Sequence, residues 1–188
     1  GDYCKYISYL YGESAEDLLE APATCDFSIV IPVRNSADTL KHTMETCLAL
    51  DYDGSYEIVL SDNSDADNNS VRAFYESLDD PRVRYYRTPF SLPLSKSFEY
   101  ALLHARGEFI FSLGADDGIY PWALKYLQKA LEAHPTEDLF AWRRGMYVWP
   151  GLLTEGNSLL WVPLCKKDAA EPYTRLKLHE NYAYYAEH

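Results

Sequence analysis

Two adjacent carboxylates, Asp116 and Asp117, follow the apolar run Phe109-Ile-Phe-Ser-Leu113 and precede Gly118. Hard carboxylate oxygens side by side can hold Mg2+ or Mn2+, and such an ion can bridge to a diphosphate that an acidic site would otherwise repel. A second polar turn, Ser61-Asp62-Asn63-Ser64-Asp65, follows Glu57-Ile-Val-Leu60, and a carboxylate there can accept a hydrogen bond from a nucleobase N–H. A third, Arg34-Asn35, follows Phe27–Val33. Five cations (Arg82, Arg84, Arg87, Lys96 and Arg106) stand against the single acid Glu99 in the segment they span. Such charges read as a solvated face, with Lys96 singled out as a diphosphate contact. The plainer reading of the acidic turns is that Asp, Asn and Gly favour turns without any ligand.

Position separates the two readings. Phe27–Val33 is a compact β-branched run with the look of a buried parallel strand. Ser36 is placed to cap a helix whose apolar positions are Leu40, Met44, Cys47 and Leu48. Glu57–Leu60 predicts a second strand, and Val71, Phe74, Tyr75 and Leu78 one face of a second helix. Val83–Tyr86 predicts a third strand, followed by a helix facing inward through Leu94, Phe98, Ala101, Leu102 and Ala105. Phe109–Leu113 predicts a fourth strand, and Pro121 the first position of a helix with Leu124, Leu127 and Leu131 inward. A short helical stretch is expected around Ala15–Glu20, a fifth strand at Leu139–Trp142, and a hairpin or mixed strands from Trp142–Trp149 and Leu159–Leu164.

Strand and helix thus alternate, which calls for an α/β fold: a mostly parallel sheet flanked by helices, with right-handed crossovers. Ligands of such sheets bind beyond the carboxyl ends of the strands, where all three polar turns fall. No GxGxxG or GxxxxGK[ST] occurs, so dinucleotide and P-loop chemistry is disfavoured.

The 188 residues suit one domain, and 17 Lys+Arg against 29 Asp+Glu leave a formal charge of −12, a poor match for nucleic acid. No apolar run has the length of a membrane span, and no signal peptide is read at Gly1-Asp2-Tyr3-Cys4. Cys4, Cys25, Cys47 and Cys165 are scattered, without a CxxC pair, and read as reduced thiols acting as small hydrophobes. The five histidines form no metal-ligand spacing. The expected location is cytoplasmic, at most peripheral to the inner face of a membrane.

Three segments together carry a resemblance to family 2 glycosyltransferases, enzymes of the GT-A fold, a Rossmann-type sheet. They are Phe27-Ser-Ile-Val-Ile-Pro-Val-Arg-Asn35, Glu57-Ile-Val-Leu-Ser-Asp-Asn-Ser64, and Ala105-Arg-Gly-Glu-Phe-Ile-Phe-Ser-Leu-Gly-Ala-Asp-Asp117 with Pro121 following. The resemblance implies sugar transfer from a nucleotide donor, UDP-linked by preference, to a saccharide or lipid-linked hydroxyl, with Mg2+ or Mn2+ and inversion. It places Pro32, Arg34 and Asn35 beside the nucleoside, Asp62 on the nucleobase, Asp116 on ribose and metal, and Asp117 on the metal. Gly114 and Ser61 stand where many members carry Asp, and Phe98-Glu99 where Arg-Asn is frequent. As a single domain over 1–188, the chain would comprise an extension (1–26), a donor-binding half (27–142) and a partial, truncated acceptor side (143–188).

No catalytic base is assigned: Glu137-Asp138 reads as a solvated loop, and Glu155, Asp168, Glu171 and Glu180 lack a supporting context. A catalytically incomplete nucleotide-sugar binding domain of the same fold is therefore the competing reading. A nucleotidyltransferase would want a Gly-rich basic loop where Val33-Arg34-Asn35-Ser36 stands.

Overall fold

The computed structural model describes residues 22–136 and the backbone of two short strands, 146–148 and 159–161. Four parallel strands, β1 (Cys25–Val33), β2 (Tyr56–Asp62), β3 (Val83–Arg87) and β4 (Gly107–Ser112), form one sheet in the order β3-β2-β1-β4. The helices α1 (Ala37–Leu48), α2 (Ser70–Glu76) and α3 (Leu94–Leu103) are the crossovers between them, and α4 (Ala123–Ala133) follows β4. The parallel sheet predicted from the alternation is the one that forms. Β-branched and aromatic side chains fill its centre: every β2 side chain is buried, as expected of a strand covered on both faces.

Strand alternation sorts the core into two layers. Phe27, Ile29, Ile31 and Val33 of β1 point to one face, where they pack with Leu40, Met44 and Cys47 of α1, Val71 beside them and Leu124 of α4. Val30 and Val59 point to the other, against Ala101 of α3. That second layer is thin, so α3 approaches through Ser97 and Ala101, both buried. Leu94 and Leu102, expected to face inward, are instead 76% and 38% exposed, because the small residues occupy the contact face.

Two caps also differ from expectation. Ser36 sits at the N-cap of α1, but its hydroxyl makes no cap bond and donates to the Arg34 carbonyl at 2.8 Å. Trp122 rather than Pro121 adjoins the start of α4; the Pro121 carbonyl accepts the Asp51 N–H at 2.8 Å, tying this turn to the chain beyond α1.

The chain divides into two compact units, Gly1–Leu139 and Phe140–His188. In the second, β5 (Met146–Val148) pairs antiparallel with β6 (Leu159–Trp161), with Met146 opposite Trp161, the hairpin the sequence suggests. The expected helix at Ala15–Glu20 and strand at Leu139–Trp142 lie outside the described residues, as do Cys4 and Cys165.

Candidate functional site

The carboxyl ends of β1 and β2 are in register, Pro32 beside Ser61 and Val33 beside Asp62. Their loops therefore leave the sheet together and lock. Asn35 adopts φ 55°, a left-handed conformation that Asn tolerates better than most residues. This turns its N–H onto the Ser64 hydroxyl at 2.9 Å and its side-chain amide onto Asp65 Oδ2 at 2.7 Å. The Asp65 N–H returns a bond to Asn35 Oδ1 at 3.1 Å, and Arg34 donates to Asp65 Oδ1 at 2.8 Å. Hydrogen bonds from Asn35 and then Arg34 hold the Asp65 carboxyl below its ordinary range.

Asp62 is wholly buried. Its Oδ1 accepts the Ser64 N–H at 2.9 Å, while Oδ2 accepts the Tyr85 hydroxyl and the Arg87 guanidinium, each at 2.7 Å. Burial, and next the bond to Asp62, push the Tyr85 phenol up to about 12, so it stays a proton donor. A nucleobase could reach this carboxylate only after Tyr85 or Arg87 moved aside. Next along the chain, the Asn63 side chain spans to the loop after β3: its amide donates to the Leu92 carbonyl at 2.9 Å, and its oxygen accepts the Leu92 N–H at 2.8 Å. An open cleft of about 310 Å³ lies beside these loops, with Ser64, Arg72, Tyr85, Arg87 and Phe90 among its walls.

β4 reaches the same end of the sheet, with Ser112 opposite Val30. Beyond it the chain turns, the Asp117 N–H donating to the Gly114 carbonyl at 3.1 Å. Both exposed carboxylates of this turn converge beside Gly114. A Cβ on that glycine would lie 2.7 Å from Asp117 Oδ2 and 3.0 Å from Asp116 Oδ1. Among the described residues no group of three or more His, Cys, Asp or Glu is arranged to hold a metal. Asp116 and Asp117 thus offer a two-carboxylate donor set, with further positions left to water or ligand oxygens, as Mg2+ sites commonly have.

Of the five cations read as a solvated face, Arg106 is exposed and the other four are ion-paired. Arg82 pairs with Asp80 at 2.6 Å, Arg84 with Glu57 at 2.7 Å, Arg87 with Asp62 at 2.7 Å and Lys96 with Glu99 at 2.7 Å. At the opposite end of the strands, Glu57 also accepts the Ser28 hydroxyl and the Arg106 N–H, both at 2.7 Å. Burial works to raise the Glu57 pKa, but the bonds from Ser28, Arg84 and Arg106 outweigh it and leave the carboxyl below its usual value.

The roles of Asn63, Asp65 and Arg87 were missed in the sequence; the one available signal was an arginine directly after the predicted third strand Val83–Tyr86. Cys47 is buried, its thiol pushed up to about 12 by desolvation, and offers no nucleophile. No helix among the described residues is long and apolar enough to cross a membrane.

The family model described as "Glycosyl transferase family 2" matches residues 28–172. An uncharacterized glycosyltransferase of Rickettsia felis is 26% identical over 152 residues, covering 80% of this chain and 23% of the relative; its Rickettsia conorii counterpart is 28% identical over the same shares. The chain thus spans under a quarter of the length of these relatives. Among solved structures, S. aureus TarS 1-349 in complex with UDP-GlcNAc has a TM-score of 0.51 at 20% identity, over 58% of this chain and 32% of TarS. TarS 1-349 without a named ligand has a TM-score of 0.52 at 15% identity, over 66% and 42%. At such identities the structures support the fold. The match over most of its length, with its three characteristic segments on one edge of a parallel sheet, places the chain in glycosyl transferase family 2.

Proposed function

We propose that the chain binds a nucleoside-diphosphate sugar across the carboxyl ends of β1, β2 and β4, and that the protein transfers the sugar to a hydroxyl of a saccharide or lipid-linked acceptor with inversion. The observation that carries this reading is the pairing of a locked loop, Arg34-Asn35 on Ser64-Asp65, with two carboxylates converging at Gly114 on the same sheet edge. The bound UDP-GlcNAc named for TarS makes a UDP-linked donor the first to test.

In this reading Pro32, Arg34 and Asn35 border the nucleoside, and Asp62 takes a nucleobase N–H once the Tyr85 hydroxyl moves aside, with Arg87 staying in place. Lys96 takes a phosphate oxygen in exchange for Glu99, its partner at 2.7 Å. Asp116 and Asp117 would hold Mg2+ or Mn2+, Asp116 also contacting ribose; two hard oxygens sharing one space suit either ion. The ion, when bound, supplies Lewis-acid stabilisation of the charge on the leaving diphosphate. The locked loops orient the donor so that the acceptor oxygen attacks the anomeric carbon as the bond to the nucleoside diphosphate breaks on the opposite side; the hydroxyl proton passes to a base other than these residues.

Calorimetric titration with UDP and then GDP, each with and without Mn2+, tests the reading. Nucleotide binding that requires Mn2+ is expected. Absence of binding to both nucleotides would overturn the donor site. Hydrolysis of a UDP-sugar without acceptor then distinguishes an enzyme from a binding domain that has lost turnover.

A further inference from the structure

Arg87 closes β3 opposite Asp62 in the sheet register. Its guanidinium makes four hydrogen bonds, all to the end of β2 and the loop that follows. Nη1 donates to Asp62 Oδ2 at 2.7 Å and to the Asn68 carbonyl at 3.1 Å; Nη2 donates to the Ser64 carbonyl at 3.0 Å and the Asp65 carbonyl at 2.8 Å. The strand itself is pinned on both sides: the Tyr100 hydroxyl donates to the Arg87 carbonyl at 3.2 Å, and the Thr88 N–H to the Asp62 carbonyl at 2.9 Å. Tyr85 stacks on Tyr75 of α2, centroids 5.0 Å apart, and brings a second donor to Asp62.

Three carbonyls and one buried carboxylate facing inward onto a single cation describe a loop wound around an arginine. The chain from Ser64 to Asn68 has no strand ladder; the Asp65 carbonyl also accepts the Asn68 N–H at 2.9 Å, and a planar fork of donors reaches all three carbonyls at once. A lysine cannot, because its three donors radiate from one nitrogen. The far side of the same loop carries Ser64 and Asp65, the partners of Asn35 and Arg34.

We infer that Arg87 is the positioning residue of the nucleotide-binding edge: it touches no ligand, and sets nucleotide affinity by fixing the Asp62–Asn68 loop on which Arg34 and Asn35 lock. This rests on the donor site proposed above.

The test compares Mn2+-dependent UDP affinity of the wild-type chain with Arg87→Lys, with Arg87→Ala in the presence and absence of added guanidinium ion, and with Arg84→Lys. Arg84 lies on the same strand and pairs with Glu57 at the opposite end of the sheet, so its variant reports a structural loss alone. Expected is a loss of about tenfold or more for both Arg87 variants, partial recovery of Arg87→Ala by guanidinium, and wild-type affinity in Arg84→Lys. If Arg87→Ala does not fold, Arg87→Lys against Arg84→Lys decides. Wild-type affinity in Arg87→Lys, or an equal loss in Arg84→Lys, overturns the positioning role while the donor site stands. A wild-type chain that binds no nucleotide overturns both.

Discussion

Asn35 and Asp65 hold each other reciprocally: the Asn35 amide donates to Asp65 Oδ2 at 2.7 Å and the Asp65 N–H donates to Asn35 Oδ1 at 3.1 Å. The pairing exists only because Asn35 is left-handed at φ 55°. It makes the loops after β1 and β2 a single unit.

Asn35→Val places a β-branched residue in that conformation and removes both side-chain bonds. It is expected to cost about 2 kcal/mol or more, against roughly 1 kcal/mol for Asn35→Gly, which keeps the backbone. Urea denaturation of the two variants measures the difference, and equal losses would show that the side chain, not the backbone, carries the effect.

Gly107, the first residue of β4, and Gly114, in the turn beyond it, are expected to respond oppositely to alanine. A Cβ on Gly107 would lie 2.4 Å from the Ser28 backbone nitrogen, inside a paired strand that cannot yield. Gly107→Ala should lose about 2–4 kcal/mol by overpacking. At Gly114 the obstacle is the ends of two exposed side chains, so Gly114→Ala should fold with wild-type stability and bind Mn2+ with UDP more weakly, by calorimetry.

Asp117→Ala removes one of the two converging carboxylates. Nucleotide binding by this variant should no longer depend on Mn2+, while its denaturation midpoint stays near wild type because Asp117 is exposed. A titration in which Mn2+ still enhances UDP binding would remove Asp117 from the metal site.

His104 is buried, stacked on Tyr86 with centroids 3.8 Å apart, and feels the charges of Arg84 and Arg106. Burial, then these two cations, lower its pKa from 6.5 to about 4. The unfolded chain therefore takes up a proton that the folded chain refuses. Stability should be full above pH 6.5 and fall by up to about 3 kcal/mol as pH drops towards 4. The lowered carboxyls of Glu57, Asp65 and Asp80 add their losses below that window. His104→Phe keeps an aromatic ring against Tyr86 and should flatten the limb between pH 6.5 and 4 in urea titrations; an unchanged limb would assign it to other groups.

Periodicity and turn composition sufficed for the parallel sheet and for the edge where the polar turns gather. Phe27, Ile29, Ile31, Val33, Leu40, Met44 and Cys47 are buried as their spacing requires, since apolar spacing is a local property of the chain. The inward face of α3 was misread at Leu94 and Leu102, because a thin second layer selects small residues over large ones. Arg84 and Arg87 were misread for a related reason: their acceptors, Glu57 and Asp62, come from a strand more than twenty residues away.

The order of residues alone determined the alternation of strand and helix, the family, and the three turns that reach the sheet edge, because these depend on neighbours in sequence. Tertiary structure decided which charges face one another. It buried Asp62 against Arg87, locked Asn35 onto Asp65, and brought the carboxylates of Asp116 and Asp117 together at Gly114. The physical reason is range: hydrophobic period acts over one or two turns, whereas a hydrogen bond forms only within about 3 Å, between groups that the register of adjacent strands has already aligned.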